Sequence, residues 1–527
     1  MKPTRTVVET GSGKVRGSEA SSGIVFQGIP FAAPPIGPRR HCRPEPVVPW
    51  DGTLECANFG PACPQLPPSQ YLCRPLAPLG PQDEDCLRLN VWTPTLDDSA
   101  RPTMVWIHPG GFLWGSSSLP LFDGSSFARD GIVLVSIQYR LNAFGFLYLD
   151  ELFEGAEGSG NLGLLDQIAA LEWVRDNIHA FGGDAGNVTV FGQSAGGISV
   201  ATLLTMPAAK HLFRRAIVQS AFPRTYEKAP ATRRAQHILD HLDVEPGNWG
   251  ALQEVPAATL LAATGLPLAE DELEIDPSAP FLPVIDGVEL LDLPLVGMQA
   301  GRAKGIDLLM GTCADEAAVF VPDLPPKLLD DMLRPRLQAL VESTGHSFYD
   351  LLTSYRHSRP KLTDFGTLLA LASDASVRVP SMQFAASQLP HHDGVWMFNF
   401  AWETAVGDGY RGAPHMLDIP FVFDQLVVPD LHGEKPPQAL ATVVHDAWVR
   451  FASVGDPTTP VLLDWPRYGE VGREAMQIDL RSSVQPDLPA EIRRVWETAL
   501  NLPPLKLTGP SSISSQLPLE GSLLSGL

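Results

Sequence analysis

Apolar residues along this chain follow two spacings that alternate with each other. Short, almost unbroken apolar runs such as Val188-Thr189-Val190-Phe191 and Thr103 to His108 read as strands buried on both faces. Further runs predict strands at Cys86 to Trp92, Ile132 to Tyr139, Arg215 to Ser220, Ile306 to Gly311, Val395 to Phe400 and Met476 to Leu480. Between Leu162 and Phe181 the pattern changes. There Leu164, Leu165, Ile168, Leu171, Val174 and Ile178 recur at helical spacing, and Gly182-Gly183 supplies a stop. Thr6 to Val15, broken by Gly11-Ser12-Gly13, predicts an opening hairpin, and Gly23 to Phe31 a further strand. Strands that alternate with helices predict an α/β fold with a large, doubly wound, mostly parallel sheet flanked by helices.

Two stretches interrupt this alternation. Residues 224–305 and 322–389 are helical and loop-rich, and are expected to be insertions covering one end of the sheet. Pro and Gly dominate from Pro34 to Pro81, which is expected to be loop. A length of 527 residues by itself suggests three or four domains, yet α/β folds with insertions reach this size around one core. Residues 1–507 are therefore expected to form a single domain, and 508–527, rich in Ser, Gly and Leu without a period, a flexible tail.

Composition narrows the partners more than the fold. A formal charge of −22 and a pI near 4.9 argue against nucleic acid or anionic membrane as a partner, because both need a basic face. No apolar run is long enough to span a bilayer. The segment from Met1 to Glu9 has neither an apolar core nor a cleavage site, so a cytoplasmic location is expected, with secretion only if a leader has been removed. Of six cysteines, Cys42, Cys56, Cys63, Cys73 and Cys86 lie early and Cys313 stands alone. They show no metal-ligand spacing, and a reduced set is the plain expectation, with one disulfide as the alternative.

The candidate chemistry begins with Gly192-Gln193-Ser194-Ala195-Gly196, which directly follows the run Val188 to Phe191. A strand turning sharply into a helix can hold a Ser in a strained conformation, and only Gly on either side leaves room for that turn. The pentapeptide alone is a weak signal, because a chain of this length should show roughly 0.2 such matches by accident. Its setting strengthens it: β-branched residues lead in, and Ile198 to Leu204 continues as an apolar helical run. A Ser hydroxyl also needs a base, a group to orient that base, and donors for the oxyanion that develops. His108-Pro109-Gly110-Gly111-Phe112 ends an earlier strand. Gly110 and Gly111 can present bare N–H groups there, which with the N–H of Ala195 would make a three-donor hole; an ordinary turn is the alternative.

Several longer segments together resemble the type-B carboxylesterase and cholinesterase family. They are Gly28-Ile29-Pro30-Phe31-Ala32, Glu84-Asp85-Cys86-Leu87-Arg88-Leu89-Asn90-Val91, Asn161-Leu162-Gly163-Leu164-Leu165-Asp166-Gln167 and Phe181-Gly182-Gly183-Asp184 running into the pentapeptide. The match covers about residues 6–500, and the chain is closest in character to bacterial para-nitrobenzyl-esterase-like members. The resemblance implies the α/β-hydrolase fold and a triad in the chain order Ser, Glu, His. The family's Gly-x-Asn-x-x-Glu-Gly stretch resembles Gly311 to Ala317, which nominates Glu316 as the orienting acid. Cys313 stands there for Asn and Ala317 for Gly, leaving Asp315 as a substitute. Gly412-Ala413-Pro414-His415, ahead of Asp418 to Phe423, matches the family's histidine segment and nominates His415. Seven histidines follow Glu316, and for His391, His392 and His445 surface or structural roles suffice.

The resemblance extends to neighbours of the triad. Ser220 aligns with a family serine that hydrogen-bonds the triad from behind; a strand-end Ser satisfied by backbone is the alternative. Cys63 and Cys86 match the ends of a disulfide loop in secreted relatives, and without a leader that bridge is in doubt. Met416 stands where the family has Gly. Gln193 replaces the acidic residue that precedes the nucleophile in cholinesterases, Val319 occupies a position aromatic in them, and the loop from Cys63 to Cys86 contains no Trp. Choline specificity is not expected, since it uses aromatic faces around a quaternary ammonium. Trp114, Phe320 and Met416, with Val319, are candidate pocket walls, each equally explicable as core packing. The expected activity is hydrolysis of small to medium apolar or aryl esters through an acyl-enzyme, with no metal or organic cofactor and a monomer or homodimer as the assembly. Two rivals stay open: a serine hydrolase acting on thioester, amide, carbamate or lactone bonds, and a non-catalytic binding or adhesion homologue, which typically loses the nucleophile.

Overall fold

A strand covered on both faces has no polar side to show, and the central strands of this chain are apolar at consecutive positions for that reason. In the computed structural model, which describes residues 6–499 apart from 69–79, 270, 273, 277, 321–325, 361, 407–410, 463 and 470, the expected hairpin pairs β1 (Val7–Thr10) with β2 (Gly13–Arg16). There follow β3 (Ser18–Ala20), β4 (Gly23–Pro30), β5 (Thr53–Glu55), β6 (Arg88–Thr93), β7 (Arg101–Ile107) and β8 (Val133–Ile137). The second half adds β9 (Gly183–Gln193), β10 (Arg215–Gln219), β11 (Asp307–Cys313), β12 (Val395–Phe400), β13 (Glu474–Ile478) and β14 (Ser483–Pro486). One sheet holds eleven strands in the order β14-β13-β12-β11-β10-β9-β7-β8-β6-β4-β3, while β1, β2 and β5 form a small separate sheet. From β13 across to β8 all neighbours are parallel, and the pairings at both edges are antiparallel.

Successive residues of the parallel strands feed two hydrophobic clusters, one on each face. Val105, Ile107, Val133, Val135, Ala216, Val218, Val395 and Met397 belong to one. Met104, Trp106, Leu134, Ile217, Trp396 and Phe398 belong to the other. The helix Leu162–Asn177, prolonged by a 3-10 turn Ile178–Phe181, covers the first face through Leu164, Ile168, Leu171 and Val174. The helix Gln438–Val454 covers the second through Leu440, Val444, Trp448 and Phe451. Each fully buried Leu or Phe of this kind contributes about 1.5–3 kcal/mol.

Among the described residues the segment between β10 and β11 carries four helices, from Lys228–His241 to Pro294–Gln299, and that between β11 and β12 carries Pro326–Glu342, Phe348–Ser358, Asp364–Ser373 and Val379–Gln388. No helix there is long and apolar enough to cross a membrane, nor is any elsewhere among the described residues. The expected tail 508–527 lies outside the described residues.

Candidate active site

Register aligns the C-terminal ends of the parallel strands, where open α/β sheets bind ligands. Gln219 pairs with Gln193 on one side and Gly311 on the other, so β9, β10 and β11 end at one level. Ser194 follows β9 immediately, at φ 53 and ψ −124, before the helix Ala195–Leu203. Holding a non-glycine residue there costs on the order of 1–3 kcal/mol, which the surroundings must offset. The Ser194 N–H donates to the Gln219 carbonyl at 3.0 Å. A Cβ on Gly192 would lie 2.5 Å from the Gly196 carbonyl, and one on Gly196 only 2.0 Å from the Ile107 oxygen. Glycine at 192 and 196 is therefore a requirement of close approach: the helix start presses against the end of β7.

That contact brings the loop after β7 beside Ser194. His108 is buried, stacks on Tyr139 at 4.5 Å, and has its Nδ1 2.9 Å from the Pro109 oxygen. Burial pushes its pKa down to about 4, so the ring is neutral and structural. Tyr139 Oη donates to the His108 carbonyl at 2.9 Å, which fixes the strand end ahead of Gly110. Among the described residues the Gly110 and Gly111 N–H groups donate to no protein acceptor. The Ala195 N–H, first in its helix, belongs to the group that a helix leaves without an internal acceptor.

The acid and the imidazole meet across two strands. Glu316 opens the 3-10 turn Glu316–Val319 just beyond β11, and His415 lies in the loop beyond β12. Glu316 Oε2 sits 2.5 Å from His415 Nδ1, and Oε1 accepts the Cys313 N–H at 2.7 Å. Both side chains are buried. The carboxylate selects Nδ1 for the imidazole proton and leaves Nε2 facing the sharp turn at 192–196, the elbow, where Gln193 Nε2 lies 3.2 Å away. Ser194 Oγ makes no hydrogen bond to His415 among the described residues. Asp315, the substitute acid, turns elsewhere, to Arg359 and to the Ala413 N–H.

Several expectations about the surroundings change. Ser220, at φ 50, donates its N–H to the Gly311 carbonyl at 2.7 Å, and its hydroxyl reaches Cys313 Sγ at 3.9 Å. Among the described residues it bonds no triad candidate directly, and the Cys313 thiol it meets lies in turn 3.7 Å from Asp418 Oδ1. Cys63 and Cys86 are both free; their thiols hydrogen-bond, which together with burial pushes the Cys86 thiol up. Cys73 lies outside the described residues. Of the pocket candidates, Phe320 stands 5.2 Å from the His415 ring, while Val319 and Met416 are buried in the second cluster and Trp114 packs half-buried against it. Met416 has φ 74, a left-handed conformation that explains why Gly suits this position and that costs about 1 kcal/mol for Met. His391 and His392 bond the Gln299 carbonyl and Asp307, and His445 is buried between the Val422 carbonyl and Asp130.

Sequence reasoning passed over Gln219 and Asp418. The Gln219 carbonyl holds the Ser194 N–H, and its Nε2 donates to Asp418 Oδ2 at 2.6 Å, three residues beyond His415. Trp448 Nε1 steadies the same amide at 3.2 Å. Burial pushes the Asp418 carboxyl up to about 6, opposed by the Gln219 bond and reinforced by Glu316. An acid three residues after His415 was the available signal. Among the described residues no group of His, Cys, Asp and Glu could hold a metal ion.

Comparison with known proteins places this arrangement. The sequence model of the carboxylesterase family matches residues 4–496. The para-nitrobenzyl esterase of Bacillus subtilis (strain 168) is 38% identical over 504 residues, covering 93% of this chain and 98% of that protein. Acetylcholinesterase of Bungarus fasciatus is 32% identical over 93% of this chain and 85% of its own length, and phenmedipham hydrolase of Pseudarthrobacter oxydans is 32% identical over 88% of this chain and 93% of its own. A crystal structure of a Geobacillus stearothermophilus carboxylesterase superposes with a TM-score of 0.79 at 36% identity, over 93% of this chain and all (100%) of that one. With a mostly parallel sheet, an elbow at the end of β9 and a family match over nearly its whole length, this chain belongs to the carboxylesterase family and is a carboxylic ester hydrolase of the α/β-hydrolase fold.

Proposed function

We propose that Ser194 is the nucleophile, His415 the general base and Glu316 the group that orients it. The 2.5 Å contact between Glu316 and His415 beside a strained Ser194 carries this reading. Neutral His415 takes the Ser194 proton on Nε2 as Oγ attacks the ester carbonyl. The N–H groups of Gly110, Gly111 and Ala195 receive the oxyanion; a single donor of this kind is worth about 2.7–4 kcal/mol in comparable hydrolases. The imidazolium then gives its proton to the departing alcohol. Water repeats the attack on the acyl-enzyme, again with His415 as base, and frees the acid. No metal or organic cofactor enters any step.

The substrates are carboxylic esters with small to medium apolar or aryl groups. Phe320 against the imidazole and the buried Val319 and Met416 support that choice, and so does the likeness to a para-nitrobenzyl esterase. Choline esters do not fit, despite a 32%-identical acetylcholinesterase, because the residue before Ser194 is the neutral amide Gln193 and Val319 is aliphatic at a position that is aromatic in cholinesterases. A cytoplasmic location accords with the free thiols of Cys63 and Cys86.

The test is a panel of matched p-nitrobenzyl and p-nitrophenyl esters, butyrylthiocholine, a p-nitroanilide and phenmedipham, read as kcat/KM. Aryl esters should exceed the anilide and the thiocholine ester by at least about 100-fold, the scale on which a site discriminates by its contacts. A preference for the anilide would overturn the substrate class. A preference for phenmedipham would move the activity toward that of the Pseudarthrobacter relative.

A further inference from the structure

Two acids stand side by side after β11, and only the second faces the imidazole. Asp315 is nearly as buried, its side chain 5% exposed, yet its carboxylate is fully committed elsewhere. Oδ1 accepts from Arg359 Nη1 at 2.9 Å, and Oδ2 accepts from Arg359 Nη2 at 3.2 Å and from the Ala413 N–H at 2.9 Å. In return the Asp315 N–H donates to the Ala413 carbonyl at 2.9 Å. Ala413 lies two residues before His415, so this reciprocal pair fastens the segment of the base to the segment of the acid.

The neighbouring glycine is shaped to the same contact. Gly412 has φ +60, and a Cβ there would lie 2.1 Å from Asp315 Oδ2. Any side chain at 412 would push the carboxylate off the Ala413 N–H. The cation comes from far along the chain. Arg359 caps the helix Phe348–Ser358, with its N–H on the Tyr355 carbonyl at 2.8 Å. A second tie leads to the same insertion: the Ala317 N–H, next to Glu316, donates to Ser373 Oγ at 2.9 Å.

We propose that Asp315 is a positioning residue for His415, and that Arg359 makes the position of the base depend on the docking of the insertion between β11 and β12. The proposal rests on the reading of His415 as the general base. Glu316 can hold Nδ1 at 2.5 Å only while the two backbone segments keep their spacing, and the Asp315 clamp sets that spacing. A displacement of about 1 Å in such a site costs up to about 100-fold in rate.

The test uses the full chain and p-nitrophenyl butyrate, with Asp315→Ala, Asp315→Asn, Arg359→Ala and Arg359→Lys. Asp315→Ala should lower kcat by about 30- to 100-fold with KM within about threefold, because the bound ester is unchanged and only the base is misplaced. Asp315→Asn keeps an acceptor for the Ala413 N–H and should restore kcat to within about fivefold of native. Arg359→Ala should lower kcat about tenfold and Arg359→Lys recover most of it. If Asp315→Ala does not fold, the two Arg359 variants decide, since that side chain is 28% exposed and can be shortened without opening the core. Native kcat in Arg359→Ala, equal damage in Asp315→Asn and Asp315→Ala, or kcat losses matched by rises in KM would each overturn the clamp. A fluorophosphonate probe separates the two levels. A native chain labelled on Ser194 whose Arg359→Ala variant turns over normally loses the clamp alone, whereas a native chain that takes no label loses the hydrolase mechanism and the clamp with it.

Discussion

The elbow at 192–196 and the histidine segment at 411–418, proposed to serve the same reaction, are held by different means. The elbow is fixed by local backbone sterics: Gly192 and Gly196 sit where a single methyl would collide with the Gly196 and Ile107 carbonyls, and β9 lies between two parallel neighbours. The histidine segment has no strand of its own at that point. It hangs from distant side chains: Glu316 on the imidazole, Asp315 on Ala413, and Gln219 on Asp418. The proposed nucleophile is thus set by packing that short-range sequence dictates, and the proposed base by long-range hydrogen bonds from distant segments.

Breaking the two ends should therefore look different. Glu316→Gln removes the charge that fixes the tautomer of His415 and should lower kcat by about 10⁴, measured by initial rates on a p-nitrophenyl ester, with folding intact by circular dichroism. Gly196→Ala should cost about 100-fold in kcat and also lower the melting temperature, since the added Cβ must displace backbone rather than a side-chain tip. A smaller effect sharpens the contrast between a neutral and a charged neighbour of the base. Gln193→Glu places a carboxylate where an amide now lies 3.2 Å from Nε2, so the acid limb of kcat/KM should move to higher pH, by about one unit.

The smallest expected effect is on stability. Burial raises the Asp418 carboxyl to about 6 in the folded protein against an ordinary value of 3.8. Below the lower value both folded and unfolded chains hold the proton. As pH rises from about 4 to 6 the unfolded chain releases it first, so this group takes stability away and the full loss persists above 6. Asp418→Asn has no such loss. Its melting temperature should exceed native by about 3 °C at pH 8 and match it within about 1 °C at pH 4, read by scanning fluorimetry.

Legibility in the sequence follows the same division. The inner strands were readable because both-face burial leaves consecutive apolar residues; Val395–Phe400 stands where the pattern placed it, and β10 within one residue of its expected end. Strands β3, β5 and β14 were missed, since Ser18–Ala20 is exposed throughout and Ser483–Pro486 largely so. Their pairing comes from neighbours, not from any alternation of their own. In the site, Ser194, Glu316 and His415 could be nominated by motif, but their supports could not. Arg359 lies in an insertion with no motif, 44 residues from Asp315 in sequence. Ser220 was expected behind the triad and instead meets Cys313, the one position of that stretch where a thiol replaces an amide. Motif residues also proved to have structural work: Asp166 binds Arg140 through both oxygens, and Asn161 holds the Val284 backbone of the first insertion.

Whether Ser194 is the residue that reacts is decided by incubating the native protein with a fluorophosphonate, digesting it and locating the adduct by mass spectrometry. One phosphonylated site is expected, on Ser194, with loss of esterase activity in step with labelling and no adduct in Ser194→Ala. Labelling at another serine with the same loss of activity, or full activity in a protein already labelled at Ser194, would contradict it.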